Sequence, residues 1–204
     1  MADNAQPFWE ETYRSGAAAF SAEPNGTLKE FERLLSKEAG VLDVGCGEGQ
    51  NCLYLARQGW TDIDAFDLSA YGIERVRRRW EEEKLSVNAC PADLREFQFA
   101  RSYDLIMSFG TLHFVSREDW RAFIVRAKEH TSPGGMHIMQ IFTDTVPASP
   151  DIAEFAIGLA KDGELLELYK DWEILQFKSY TFEDEHPGVP KHLHASNKLA
   201  ARKK

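Results

Sequence analysis

Asp43, Gly45, Gly47 and Gly49 fall in one short window, Val41-Leu42-Asp43-Val44-Gly45-Cys46-Gly47-Glu48-Gly49. Glycines at alternate positions let the backbone pass close beneath a ligand, because no Cβ intervenes. A turn that opens into a helix also presents N–H groups that lack intrahelical partners. A dinucleotide fingerprint would need a third glycine at position 50, where the chain has Gln50, and no Gly-Lys-Ser/Thr follows to make a phosphate loop. Asp43 ahead of the turn and Glu48 within it repel a pyrophosphate and suit an ammonium group.

S-adenosylmethionine carries an α-ammonium and a sulfonium and no phosphate, so the acidic turn points to it rather than to a nicotinamide dinucleotide. Asp67 lies 22 residues after Gly45, at the end of the next apolar run, where a carboxylate can accept both hydroxyls of a ribose. Leu68 beside it is placed to cover an adenine face. Asp93, in Ala92-Asp93-Leu94, is placed to accept from the adenine amine. The expected cofactor shell is therefore Asp43, Gly45, Cys46, Gly47, Gly49, Asp67, Leu68, Asp93, Leu94 and Ser108. Trp9 and Tyr13, four apart and so on one helical face, either cover the cofactor as a lid or pack on the core.

The sulfonium already activates the methyl group, so the protein has mainly to align an acceptor and exclude water. A hydroxyl or protonated amine would need a base, for which histidine is suited. His186, in the polar loop Glu183-Asp184-Glu185-His186-Pro187-Gly188, and His113, in Gly110-Thr111-Leu112-His113-Phe114, are the two candidates. His130 and His137 read as a helix end and a strand surface. His192 and His194 share one strand face, but no third ligand stands at a telling spacing, so no metal is expected. Phe142, Phe155 and Trp172 are candidates to line an apolar acceptor pocket.

These residues need elements to hold them. A helix is predicted to begin near Thr27, with Leu28, Phe31, Leu34 and Leu35 at helical spacing and Gly40 closing it. Val41–Val44 reads as a strand, followed by the glycine turn and a helix ending near Gly59. Strands follow at Ile63–Leu68, Val87–Cys90, Tyr103–Ser108 and Met136–Phe142, with helices over Ala70–Lys84 and Arg117–His130 and a turn at Pro133-Gly134-Gly135. This alternation predicts an α/β fold with a mostly parallel sheet and helices on both faces. Ile152–Leu159 reads as a further helix. Ile174–Phe182 and His192–Ala200 read as an antiparallel hairpin that completes seven strands. Residues 1–40 form an N-terminal arm and helix, and 41–204 the main body of a single domain.

Lys and Arg total 24 against 33 Asp and Glu, a net charge of −9, which argues against nucleic acid as a partner. Arg75, Arg77, Arg78 and Arg79, followed by Glu81, Glu82 and Glu83, read as a charge-paired solvated helix face. No apolar run is long enough to span a bilayer and no signal peptide is legible, so the cytoplasm is expected and no membrane partner. Cys46, Cys52 and Cys90 form no CxxC pair and read as reduced.

The run Val41–Gly49 resembles the first motif of class I S-adenosylmethionine-dependent methyltransferases. Asp67 matches the acid of the second motif, Tyr103-Asp104-Leu105-Ile106 the fourth strand, and Pro133-Gly134-Gly135 the turn before the fifth. The resemblance implies a Rossmann-like class I methyltransferase fold that moves a methyl group to a small-molecule acceptor. Within that class, Gly45–Ala56, Lys161-Asp162-Gly163-Glu164-Leu165 with Trp172, and Leu199–Lys204 resemble the tellurite-resistance methyltransferases. That likeness implies oxyanions of tellurium or selenium as acceptors. His186 takes the place of a histidine considered catalytic there, while His194 stands where the family carries an arginine. The alternatives are O-, N- or S-methylation of a small metabolite, or a noncatalytic cofactor-binding module.

Overall fold

A computed structural model describes residues 8–15, 23–150, 152–186 and 189–204, without the side chains of Phe8, Trp9, His186 and Val189. Seven strands form one sheet in the order β3-β2-β1-β4-β5-β7-β6. They are β1 (Val41–Val44), β2 (Ile63–Asp67), β3 (Asn88–Pro91), β4 (Tyr103–Phe109), β5 (Thr131–Phe142), β6 (Glu173–His186) and β7 (Val189–Arg202). β1 to β5 pair in parallel, and β7 runs antiparallel between β5 and β6. The sequence-based reading of a mostly parallel seven-stranded sheet ending in a hairpin holds.

Every residue of β1 is buried, as a central strand covered on both faces requires. Val41 joins the core beneath α2 (Gly26–Phe31), α3 (Gln50–Arg57) and α4 (Ala70–Glu83), while Leu42 and Val44 join the core beneath α5 (Arg117–Glu129). From β1 the chain builds outward to β2 and β3, then returns to place β4 on the other side of β1. Strand order therefore reverses between β1 and β4, and the ligand crevice of such a sheet lies beyond their carboxyl ends.

Three local expectations are corrected. Ile152–Leu159 is a series of turns rather than a helix, and the short helix α6 (Glu164–Leu168) follows it. Distant partners capture the segment: Gly158 N–H donates to the His113 carbonyl, Ala160 N–H to that of Phe142, and Trp120 Nε1 to the Gly158 carbonyl at 2.8 Å. Pro133-Gly134-Gly135 does not precede β5 but lies inside it, looped out between the Tyr103–Thr131 and Leu105–Met136 pairs. His137 is fully buried, not on a surface: it lies between Thr131 Oγ1 at 2.8 Å and Tyr169 Oη at 2.6 Å.

The helix expected from Thr27 is short. Asn25 caps it through the Thr27 N–H, and a 3-10 turn over Glu32–Leu34 ends it. Among the described residues, no helix is long and apolar enough to cross a membrane.

Candidate functional site

β1 leads into Gly45, which has φ +67°, and any side chain there would overlap Thr111. Gly49, at φ 81°, occupies the N-cap of α3 without a side chain to satisfy the helix's first N–H groups. Asp43 does this instead, accepting from Cys52 N–H at 3.2 Å. Asp43 thus caps α3 and leaves a buried carboxyl under the loop. Burial pushes that carboxyl up to about 7, against the pull of the Cys52 N–H and with Asp67 adding to the rise.

Asp67 ends β2 and grips the loop: one carboxylate oxygen accepts from Gly47 N–H at 2.8 Å, the other from Ser69 N–H at 2.9 Å. Burial raises its pKa, and those two backbone donors oppose the rise. Each carboxylate oxygen has a further lone pair, so Asp67 can still accept from a diol. Leu68 next to it is 74% exposed, a suitable position for covering a flat ring. Ser108, one residue before the end of β4, lies beside Val44, fully buried, with a hydroxyl that has no hydrogen-bond partner. An orphaned buried hydroxyl costs about 1–3 kcal/mol unless something pairs with it, so its position at the crevice fits a polar ligand. Cys46 and Leu94 turn their side chains into the two cores and offer the site only backbone. Asp93 is held by Arg95, whose Nε donates to it at 2.9 Å, so its carboxylate is already paired where an adenine contact was expected.

The N-terminal helix α1 (Phe8–Ser15) packs on α4 and brings Tyr13 over the loop. Tyr13 is buried, and a Cβ on Gly47 would lie 2.8 Å from its hydroxyl. Burial, then the charges of Asp67 and Glu48, push the phenol pKa up. Arg75 pairs with Glu48 at 2.8 Å, and Arg79 donates to the Glu48 carbonyl at 3.3 Å. Two arginines read as solvated surface thus fix α4 to the glycine loop. Trp9 lies in α1, and its side chain is outside the described residues.

Beyond the end of β4, a 3-10 turn over Leu112–Phe114 buries His113 completely, and neither ring nitrogen has a partner. Burial, then His194, pull its pKa down to about 3, so the ring is neutral at pH 7 and can orient a group but not hold a proton. Phe142, the last residue of β5, stacks with His113 at 4.4 Å and with His194 at 4.5 Å between ring centroids. Of the three aromatics expected to line one pocket, Phe142 is here, but Trp172 packs on His137 and Tyr169 in the core. His186 ends β6 at the tip of the hairpin, and its side chain is outside the described residues. The tip lies six residues past the Tyr180–Ser196 pair, which is level with the end of β5, or roughly 20 Å along the arm at about 3.3 Å per residue.

The sequence model of the family described as tellurite resistance protein TehB matches residues 25–186. The chain belongs to the TehB family. The family's span takes in the glycine loop, Asp67, Asp93, His113 and His186, and stops before His192 and His194. Over 155 residues, 75% of its length, the chain is 34% identical to a protein of Haemophilus influenzae named probable S-adenosyl-L-methionine-dependent methyltransferase TehB, and covers 52% of it. It thus spans about half the length of that TehB relative. It is 27% identical over 158 residues to a ubiquinone biosynthesis O-methyltransferase of Rickettsia akari, covering 71% of this chain and 61% of that one. The crystal structure of TehB from Haemophilus influenzae superposes with a TM-score of 0.80 at 28% identity, covering 96% of this chain and 67% of that one.

Proposed function

We propose that this TehB-family chain transfers a methyl group from S-adenosylmethionine to a small acceptor. The observation that carries the reading is the acidic glycine loop at the strand-order reversal, tied at 2.8 Å to a carboxylate that keeps lone pairs for a ribose. The names of the TehB relative and of the O-methyltransferase support it. When bound, the cofactor supplies an activated methyl carbon on a cationic sulfur. Asp43 contributes negative charge beneath the loop, Asp67 accepts from the ribose, Leu68 covers the adenine, and the loop's backbone passes close because Gly45, Gly47 and Gly49 carry no side chains. Tyr13 covers the loop and keeps water out, and Ser108 faces the ligand from β4.

The family's description favours a tellurite-type oxyanion as acceptor. The neutral His113 and its stack on Phe142 favour a second reading, an uncharged small metabolite, with His186 as one candidate base. Incubation with methyl-labelled S-adenosylmethionine and a panel of selenite, tellurite, phenols, amines and thiols tests the proposal. Label transferred to any member at more than about tenfold the protein-free rate supports it. Tight cofactor binding with no transfer to any member would make the chain a binding module instead.

A further inference from the structure

Two residues past the end of β5, about 7 Å along the arm, the hairpin carries a second histidine arrangement, and it lies outside the family's matched span. His192 Nδ1 stands 2.8 Å from the Pro190 carbonyl. A carbonyl only accepts, so His192 carries its proton on Nδ1. His192 Nε2 stands 3.0 Å from His194 Nε2, a separation that holds one proton. With both rings neutral, His192 Nε2 is then the acceptor, His194 donates from Nε2, and the basic lone pair of His194 falls on Nδ1. His194 is buried, stacks on Phe142, and contacts Phe182 at 5.3 Å between centroids.

Resting on the methyltransferase reading, we propose that His194, held in this tautomer by His192, takes the proton from a neutral O–H or S–H acceptor seated beside His113 and Phe142. The charges around it suit a neutral acceptor better than an oxyanion. His113 is neutral. Asp184 stands opposite His192 in the hairpin register, and Lys191 is occupied by Glu183 at 2.5 Å. Lys198 shares the strand face but lies four residues on, roughly 13 Å away, over Tyr180. His113, with both nitrogens unpartnered, offers the acceptor one hydrogen bond.

The step balances. The acceptor's lone pair forms the bond to the methyl carbon, the carbon–sulfur electron pair stays on sulfur, and the acceptor's proton moves to Nδ1 of His194. The positive charge lost from sulfonium reappears on the imidazolium, shared through its Nε2–H bond to His192. His192 is a positioning residue: it fixes which nitrogen of His194 is basic.

The test joins a spectrum to a rate. Imidazole nitrogen-15 spectra of the full chain at pH 8 should show His192 protonated on Nδ1 and His194 on Nε2. The reverse tautomer at His194 would overturn the proposal even without turnover. Methylation of phenol and of 2-phenylethanethiol should fall about 10²-fold in kcat for His194→Gln, with KM and cofactor affinity changed less than about threefold. His192→Gln should lose about tenfold, with His194 then showing mixed tautomers. Transfer to 4-nitrophenolate, which has already lost its proton, should change less than about threefold in both variants. Equal losses on phenol and 4-nitrophenolate would mean a packing role and overturn the proposal. Turnover of selenite but of neither neutral probe would also overturn it while leaving the methyltransferase reading intact. No turnover of any probe despite cofactor binding would bring down both.

Discussion

Asp43 is expected to make cofactor binding a proton-releasing event. Its carboxyl, pushed by burial up to about 7, is about 90% protonated at pH 6 in the free protein. A cation at about 4 Å, with an effective dielectric of about 20, favours the ionised form by about 4 kcal/mol, which is about three pH units. The carboxyl then ionises on binding and releases about 0.9 proton at pH 6. The ligand's own α-amino group, with a pKa of about 8, is already charged at that pH and takes up almost nothing. Titration calorimetry at pH 6 in buffers of different ionisation enthalpy counts the protons. Asp43→Asn should reduce the count to near zero. No release in the wild type, or the same release in the variant, would refute the idea that Asp43 answers to the ligand's charge.

Other outcomes follow from single contacts. Gly45→Ala forces a side chain into a φ of +67° against Thr111, and should cost about 1–3 kcal/mol in urea unfolding and more than tenfold in cofactor affinity by calorimetry. His137, pulled down to about 3 chiefly by burial, binds fewer protons folded than unfolded, where its pKa is about 6.5. Its contribution is present above about pH 6.5 and is lost as pH falls towards 3, by about 1.4 kcal/mol per unit. Between pH 6.5 and 5 the wild type should therefore lose about 2 kcal/mol more than His137→Gln, read from urea midpoints across pH; parallel curves would contradict this. Trp120→Phe removes the buried donor to the Gly158 carbonyl and should cost about 1–3 kcal/mol, measured the same way.

Much of the fold was legible because its signals are local. Val41–Val44 followed by alternate glycines, and the acid 22 residues on, define strand, turn and second strand without help from the rest of the chain. The misreadings arose where distant partners decide. Ile152–Leu159 has a helix-like apolar pattern, but the Gly158 N–H goes to the His113 carbonyl and the Ala160 N–H just beyond it to that of Phe142, which no local pattern encodes. His137 alternates like a surface residue until α6 and the chain beyond it bring Tyr169 and Trp172 over it. The pairing of Arg75 with Glu48 needs the loop to fold back under α4. On the acceptor side, the i, i+2 spacing of His192 and His194 was visible, but the stacking of His194 on Phe142 depends on the β5–β7 register.

The central claim is that the loop closed by Asp67 holds an adenosyl sulfur cofactor. Calorimetric titration of the wild type and of Asp67→Ala with S-adenosylmethionine, S-adenosylhomocysteine and NAD tests it most directly. Micromolar binding of both adenosyl sulfur ligands is expected, weakened at least tenfold in the variant, with no binding of NAD. Binding of NAD without either adenosyl sulfur ligand would contradict it.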